Sequence, residues 1–178
     1  MSDDTLKPEK SEDARDIPAY FRSFSLSTKS LDERLTTIGG SDINILASAD
    51  SKEINRLYDK KVNALHDDLS MVWPVLMGHV TEDVNTEWCA YKQGIDIVDR
   101  QRVIRGKKYK FMRCTLDGAV REYKGTQAVF DAKFTLGRPM KGEAWDEVIP
   151  RLVRKYTPQL HWNAYLLAEE TNKPVEYG

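Results

Sequence analysis

Two cysteines, Cys89 and Cys114, lie too far apart in a chain of 178 residues to suggest a disulfide framework, and they form no Cys-x-x-Cys pair of the zinc or iron–sulfur kind. A reducing, intracellular setting is therefore expected. The histidines His66, His79 and His161 have no metal-ligand spacing. No apolar run reaches the roughly eighteen residues of a membrane span, and the chain starts with acidic and polar residues where an export signal would be basic and then apolar. Neither membrane insertion nor export is expected. With a formal net charge of -1 there is no global pull toward nucleic acid, so any basic surface has to be local. What is present, 40% hydrophobic residues at this length, is enough for one domain to bury a core without covalent or metal staples.

Residues 1–20 mix charges with few apolar side chains and read as a flexible tail, leaving 21–178 as a single domain. Ser30 and Glu33 make a capping box that opens a short helix carrying Arg34 and closing near Gly39-Gly40. Ser41 then caps a second helix through Asp42, Ile43, Ile45 and Leu46, the paired glycines marking a tight turn whose exposed amides can hold a phosphate. Two amphipathic helices follow, with Ile54, Leu57, Tyr58, Val62 and Leu65 on one apolar stripe and Leu76, Val80, Val84, Trp88 and Tyr91 on the other, which ends at Gly94. Short runs of β-formers then cover 95–98, 103–104, 109–114, 116–120 and 128–134, a β-meander carrying Asp117 and Asp131. Thr157 caps a last helix with Pro158 at its first position and Leu160, Ala164 and Leu167 as its core stripe. Helices, a hairpin-rich sheet and a helix predict one mixed α/β domain.

Thr115-Leu116-Asp117-Gly118 and Asp131-Ala132-Lys133 carry the chemistry. Strand alternation puts Asp131 and Lys133 on one face, with Phe130 and Ala132 on the other. With Asp117 on a neighbouring strand, two carboxylates converge on a place suited to a hard divalent cation such as magnesium, with an ammonium beside its water. Such a cation polarises a phosphodiester and acidifies the attacking water, while the ammonium orients that water and offsets developing charge. A cross-strand charge pattern explains an acid and a lysine two residues apart equally simply, and Asp-Gly is a favoured hairpin turn. The joint occurrence favours the metal site.

In chain order, Ile38-Gly39-Gly40-Ser41-Asp42, Gly78 with Glu82, Thr115-Leu116-Asp117-Gly118, Asp131-Ala132-Lys133 and Tyr156-Thr157-Pro158-Gln159 resemble the motifs of the PD-(D/E)XK nucleases over about residues 30 to 170. Within that superfamily the motifs look like those of the phage lambda-type exonucleases, also called the YqaJ viral recombinase family. The resemblance implies a restriction-endonuclease-like core, a mixed central β-sheet flanked by helices. It further implies that Asp117 and Asp131 bind catalytic Mg2+, for which Mn2+ can substitute, with the Ala132 carbonyl as a further ligand. Lys133 would position or activate the water, Glu82 would support the metal–water shell, and Gln159 would be the polar residue of the last helix near the site. A solvated acidic face with Asp83 and Glu87 accounts for Glu82 as well, and an ordinary first helical turn accounts for Gln159.

Arg34, Ser41 and Thr115 resemble the same family's pocket for the terminal 5′ phosphate of the degraded strand. A guanidinium grips phosphate bidentately, and a hydroxyl at a helix N-terminus adds a donor. A simple cap and a surface charge explain Ser41 and Arg34 equally well. Arg100, Arg102, Arg105, Lys107, Lys108 and Lys110 form a local basic strip that DNA contact would need and that a protected hairpin edge would also show. Trp73, Tyr91, Trp145, Trp162 and Tyr165 read as core or rim packing.

By resemblance the expected activity is end-dependent exonuclease cleavage of DNA in phage-type recombination, beside a single-strand annealing recombinase and in the cytoplasm of a phage-infected bacterial host. A homo-oligomer is compatible with it. An endonuclease of the same superfamily and a non-catalytic DNA-binding or scaffold protein are the alternatives. Family members usually continue past the last matched helix with further strands, whereas this chain ends at Pro174-Val175-Glu176-Tyr177-Gly178. Either C-terminal strands are missing from it or the sheet is completed differently, as by a partner chain.

Overall fold

The computed structural model describes residues 28–65, 72–135 and 139–178. The tail at 1–20 and His66 lie outside the described residues. Helix α1 spans Thr28–Thr36, α2 Gly40–Ala47, α3 Ser51–Val62, α4 Trp73–Gln93 and α5 Val148–Thr171, with a 3-10 turn at Trp145–Glu147. The strands are β1 Ile97–Val98, β2 Arg102–Arg105, β3 Arg113–Leu116, β4 Gly118–Tyr123, β5 Thr126–Phe130 and β6 Val175–Tyr177. They form a mixed four-stranded sheet, β1-β4-β5-β6, and a two-stranded sheet, β2-β3. Among the described strands, β5 and β6 run parallel and the other ladders are antiparallel. The expected mixed α/β architecture, consistent with a restriction-endonuclease-like core, is what the chain adopts.

Alternation along β4 and β5 splits the core into two layers. Ala119 and Val129 face one side, where Leu166 and Leu167 of α5 join them with Ile104, Met112, Cys114 and Leu116. Val120 and Ala128 face the other side with Ile97, packed against Cys89 and Ala90 of α4. A helix thus covers each face of the larger sheet. The β4–β5 hairpin turns at Lys124 and Gly125, whose φ values of 51° and 85° fit a two-residue primed turn. Asp117-Gly118 is not that turn. A Cβ at Gly118 would collide with Ile97 Cγ2, so the glycine admits β1 against β4.

Several expected boundaries shift. Gly39, not Ser41, caps α2, its N–H donating to Asp42 Oδ2 at 2.8 Å, so Ser41 lies inside the first turn. The α1 helix already includes Ser30. Pro158 is internal to α5, which begins ten residues earlier, and Thr157 donates back to the Val153 carbonyl at 2.7 Å instead of capping. Tertiary packing overrides the local signal: the turns before Pro158 stay helical although proline cannot donate to the ladder. The apolar stripe of α4 turns outward, and that of α3 does so in part. On α4 the buried residue is Thr86, while Trp88 and Tyr91 are 61% and 78% exposed. On α3 Leu57 is buried and Ile54 partly so, whereas Tyr58 and Val62, and Leu65 just beyond the helix, are exposed. The side of α4 that meets the sheet carries the small side chains Cys89 and Ala90. Trp73, Trp145 and Tyr165 are likewise exposed, and only Trp162 of the singled-out tryptophans is tucked in, donating to the Arg113 carbonyl at 3.0 Å.

Candidate functional site

The site forms where the chain changes sheets. Asp117 is neither in β3 nor in β4 but at the bend between them, and Asp131 immediately follows β5. Both were expected within strands. Gly118 pairs with Phe130, so the antiparallel register brings Asp117 and Asp131 opposite each other just beyond the ladder. Freed from ladder pairing, the backbone N–H of Ala132 donates to Asp117 Oδ2 at 2.8 Å.

Lys133 leans into the same space. Its Nζ is 2.5 Å from Asp131 Oδ2 and 3.8 Å from Asp117 Oδ2, and lies 5.6 Å from the centre of the Tyr156 ring, a cation–π distance. The other Asp131 oxygen accepts from Gln159 Nε2 at 2.8 Å. Asp131 is thus held at both oxygens, with only 4% of its side chain exposed.

Burial first, and then the negative charges of Asp131 and Glu82, raise the Asp117 pKa to about 6 against the opposing Lys133 ammonium and the Ala132 N–H. Glu82, on α4, therefore lies within electrostatic reach. It accepts a hydrogen bond from Gln101 Nε2 at the β1–β2 turn, where Gln101 has a φ of 55°. Among the described residues no three acidic, histidine or cysteine side chains gather tightly enough to form a ready-made metal cage. Two largely buried carboxylates that repel one another are nevertheless suited to a hard cation, which would relieve that repulsion.

Residues 30–171 match the family model of the YqaJ-like viral recombinase domain. The chain belongs to that family. It is the lambda-type exonuclease family of the PD-(D/E)XK superfamily, a family of phage-type recombination nucleases, so the substrate it implies is DNA. No curated protein and no solved structure matches the chain. Among the described residues no helix is long and apolar enough to cross a membrane.

Within this YqaJ-like domain, the segment leading into α2 runs along β3. Ile38 N–H donates to the Phe111 carbonyl at 2.7 Å, and Arg113 N–H donates to the Ile38 carbonyl at 3.0 Å. Exposed Arg34 and Ser41 and half-buried Thr115 thus belong to adjoining elements α1, α2 and β3. Sequence reasoning passed over Arg113, which lies on the same strand as Thr115 and is buried with its Nε 3.7 Å from Glu33. Burial and the neighbouring Arg34 charge lower its pKa.

The basic strip is less available than its composition suggests. Arg100 pairs with Glu87 at 2.7 Å, Arg102 with Asp99 at 2.7 Å and Glu170 at 2.6 Å, and Arg105 with Glu33 at 2.6 Å. Lys107 Nζ caps the end of α5 through the carbonyls of Glu169 and Glu170. These contacts are largely internal fastenings of the hairpin.

Asn44 also escaped the sequence. Its side chain joins Gln159 from the α2 side, at 2.9 Å. The available signal was a polar residue within the apolar run Ile43, Ile45 and Leu46, one helical turn after Gly40.

Proposed function

We propose that this YqaJ-like nuclease is a magnesium-dependent DNA exonuclease that hydrolyses phosphodiester bonds from duplex ends for phage-type recombination. The observation that carries the reading is the convergence of Asp117, Asp131 and Lys133, with an ammonium touching one carboxylate and facing the other. Asp117 and Asp131 would hold the divalent cation, helped by the Ala132 carbonyl, with Glu82 on the water side. When bound, the cation supplies Lewis-acid polarisation of the phosphodiester and acidifies water. Lys133 orients the attacking water and offsets the charge that develops on the phosphoryl oxygens. Gln159 keeps the Asp131 carboxylate turned toward the site.

Dependence on ends rests on Arg34, Ser41 and Thr115 as the receptor for a terminal 5′ phosphate. Guanidinium, hydroxyl and helix-start amides are the donors such an anion requires. A single-strand annealing recombinase, which would receive the strand left by resection, is the partner this activity calls for.

The test is digestion of a linear duplex bearing a 5′ phosphate against the same DNA as a covalently closed circle, each with Mg2+ and with chelator. Mg2+-dependent loss of the linear form alone is expected. Cutting of the closed circle would make the protein an endonuclease, and cutting of neither would overturn the enzymatic reading. Lys133→Ala that remained fully active would remove the role assigned to that lysine.

A further inference from the structure

Asn44 makes two hydrogen bonds to one residue. Its Nδ2 donates to Gln159 Oε1 at 2.9 Å, and its Oδ1 accepts from the Gln159 backbone N–H at 3.1 Å. Gln159 Nε2 then donates to Asp131 Oδ1 at 2.8 Å. A side-chain amide has a donor end and an acceptor end, and a half-turn exchanges them. The backbone N–H at the head of this series cannot exchange, because it only donates.

That fixed donor sets every group after it. It selects the oxygen of Asn44, which leaves Nδ2 toward Gln159. Since Nδ2 only donates, Gln159 presents Oε1 to it and Nε2 to Asp131. The opposite orientation would set Oε1 against the Asp131 carboxylate, acceptor against acceptor. We propose that Asn44 is a positioning residue for Asp131: through Gln159 it fixes which end of the amide meets the carboxylate, and so holds that carboxylate in register for a divalent cation.

The packing around Asn44 supports a rigid link. It sits four residues after Gly40, hence on the same face of α2, and that face is pressed against α5. A Cβ on Gly40 would lie 2.8 Å from Asn163 Oδ1 and 3.1 Å from Gln159 Cγ. Lys61 of α3 holds the start of α2 from the other side, with Nζ 2.9 Å from Asp42 Oδ2 and 2.8 Å from the Thr37 carbonyl. On α5, Pro158 interrupts the helical ladder next to the N–H that reaches Asn44. Groups that orient a metal ligand typically change metal affinity or activity by about 10- to 100-fold when removed.

The inference rests on Asp131 being a metal ligand, so the experiment measures metal first and without DNA. Mn2+ binding is followed by titration calorimetry in the full chain, in Asn44→Ala, in Gln159→Ala and in the double variant, with thermal unfolding in chelator as the control for folding. The wild-type chain should bind Mn2+, and Asn44→Ala should bind roughly 10-fold more weakly. In the Gln159→Ala background, Asn44→Ala should add nothing, since its effect passes through that side chain. Asn44→Leu, which fills a similar space without polar groups, should reproduce the alanine result and stands in if Asn44→Ala does not fold. No Mn2+ binding by the wild type would overturn the metal-site reading itself, and the role of Asn44 with it. Wild-type affinity in Asn44→Leu, or losses that add independently to those of Gln159→Ala, would overturn the role of Asn44 while leaving the metal site standing.

Discussion

The Lys133 ammonium lies 2.5 Å from Oδ2 of Asp131, a carboxylate that is almost wholly withdrawn from water. This lysine is the counter-charge for the carboxylate pair. Removing one member of such a pair leaves the other buried and uncompensated. Lys133→Ala should therefore lose at least ~100-fold in nuclease activity and, in chelator, on the order of 2 kcal/mol of stability, because the partly exposed lysine gives less than a fully buried partner would. Added Mg2+ should restore much of that stability but not the activity. Urea unfolding with and without Mg2+ checks the first part, and unchanged stability in chelator would contradict the pairing.

Asp117 carries the opposite liability. Its folded-state pKa of about 6 exceeds the ordinary carboxylate value of 3.8, so the native state binds more protons between those two values. By linkage, the contribution of Asp117 to the stability of the metal-free protein falls as pH rises from about 4 to about 6, by at most ~3 kcal/mol. Asp117→Asn should flatten that slope and make the chain more stable than wild type at neutral pH in chelator, while abolishing cleavage. Thermal melts across this pH range compare the two proteins; parallel curves would argue against the raised pKa.

Gly40 has a spatial role, not a turn role. Gly40→Ala places a methyl against Asn163 and Gln159 and should cost roughly 1–3 kcal/mol as α2 moves away from α5. Nuclease activity should fall with it, since the same contact aligns Asn44. Denaturant midpoints and rates on linear duplex measure both, and a neutral alanine would mean that the two helices are not in close contact.

The apolar stripe of α4 points away from the sheet. Val84→Lys should leave the chain folded, with stability within about 0.5 kcal/mol of wild type, whereas Thr86→Lys should unfold it, because Thr86 is buried with its hydroxyl on the Glu82 carbonyl at 2.7 Å. Circular dichroism of both variants separates the two faces. Unfolding by Val84→Lys would reverse the assignment.

Much of the molecule was legible in one dimension. The helix ending at Gly94 does end there, with a left-handed φ of 61° at the glycine. The stripe Leu160, Ala164 and Leu167 does face the core. The alternation around Asp131 did pair the acid with its lysine, although the strand stops one residue before it. These features follow from spacing within a single segment, which sequence preserves. Hydrophobic periodicity misled on α4, since it reports that a helix has two faces and not which of them the sheet accepts.

The sequence alone determined the order of motifs, and with it the family, because residue identity and spacing along the chain are what such motifs consist of. Only the tertiary structure decided that Asp117 lies at the junction of two sheets, that Gly40 serves helix contact, and that Asn44 reaches Gln159 across 115 positions. The physical reason is that directed hydrogen bonds and close approaches depend on distances between segments, and no local propensity encodes those distances.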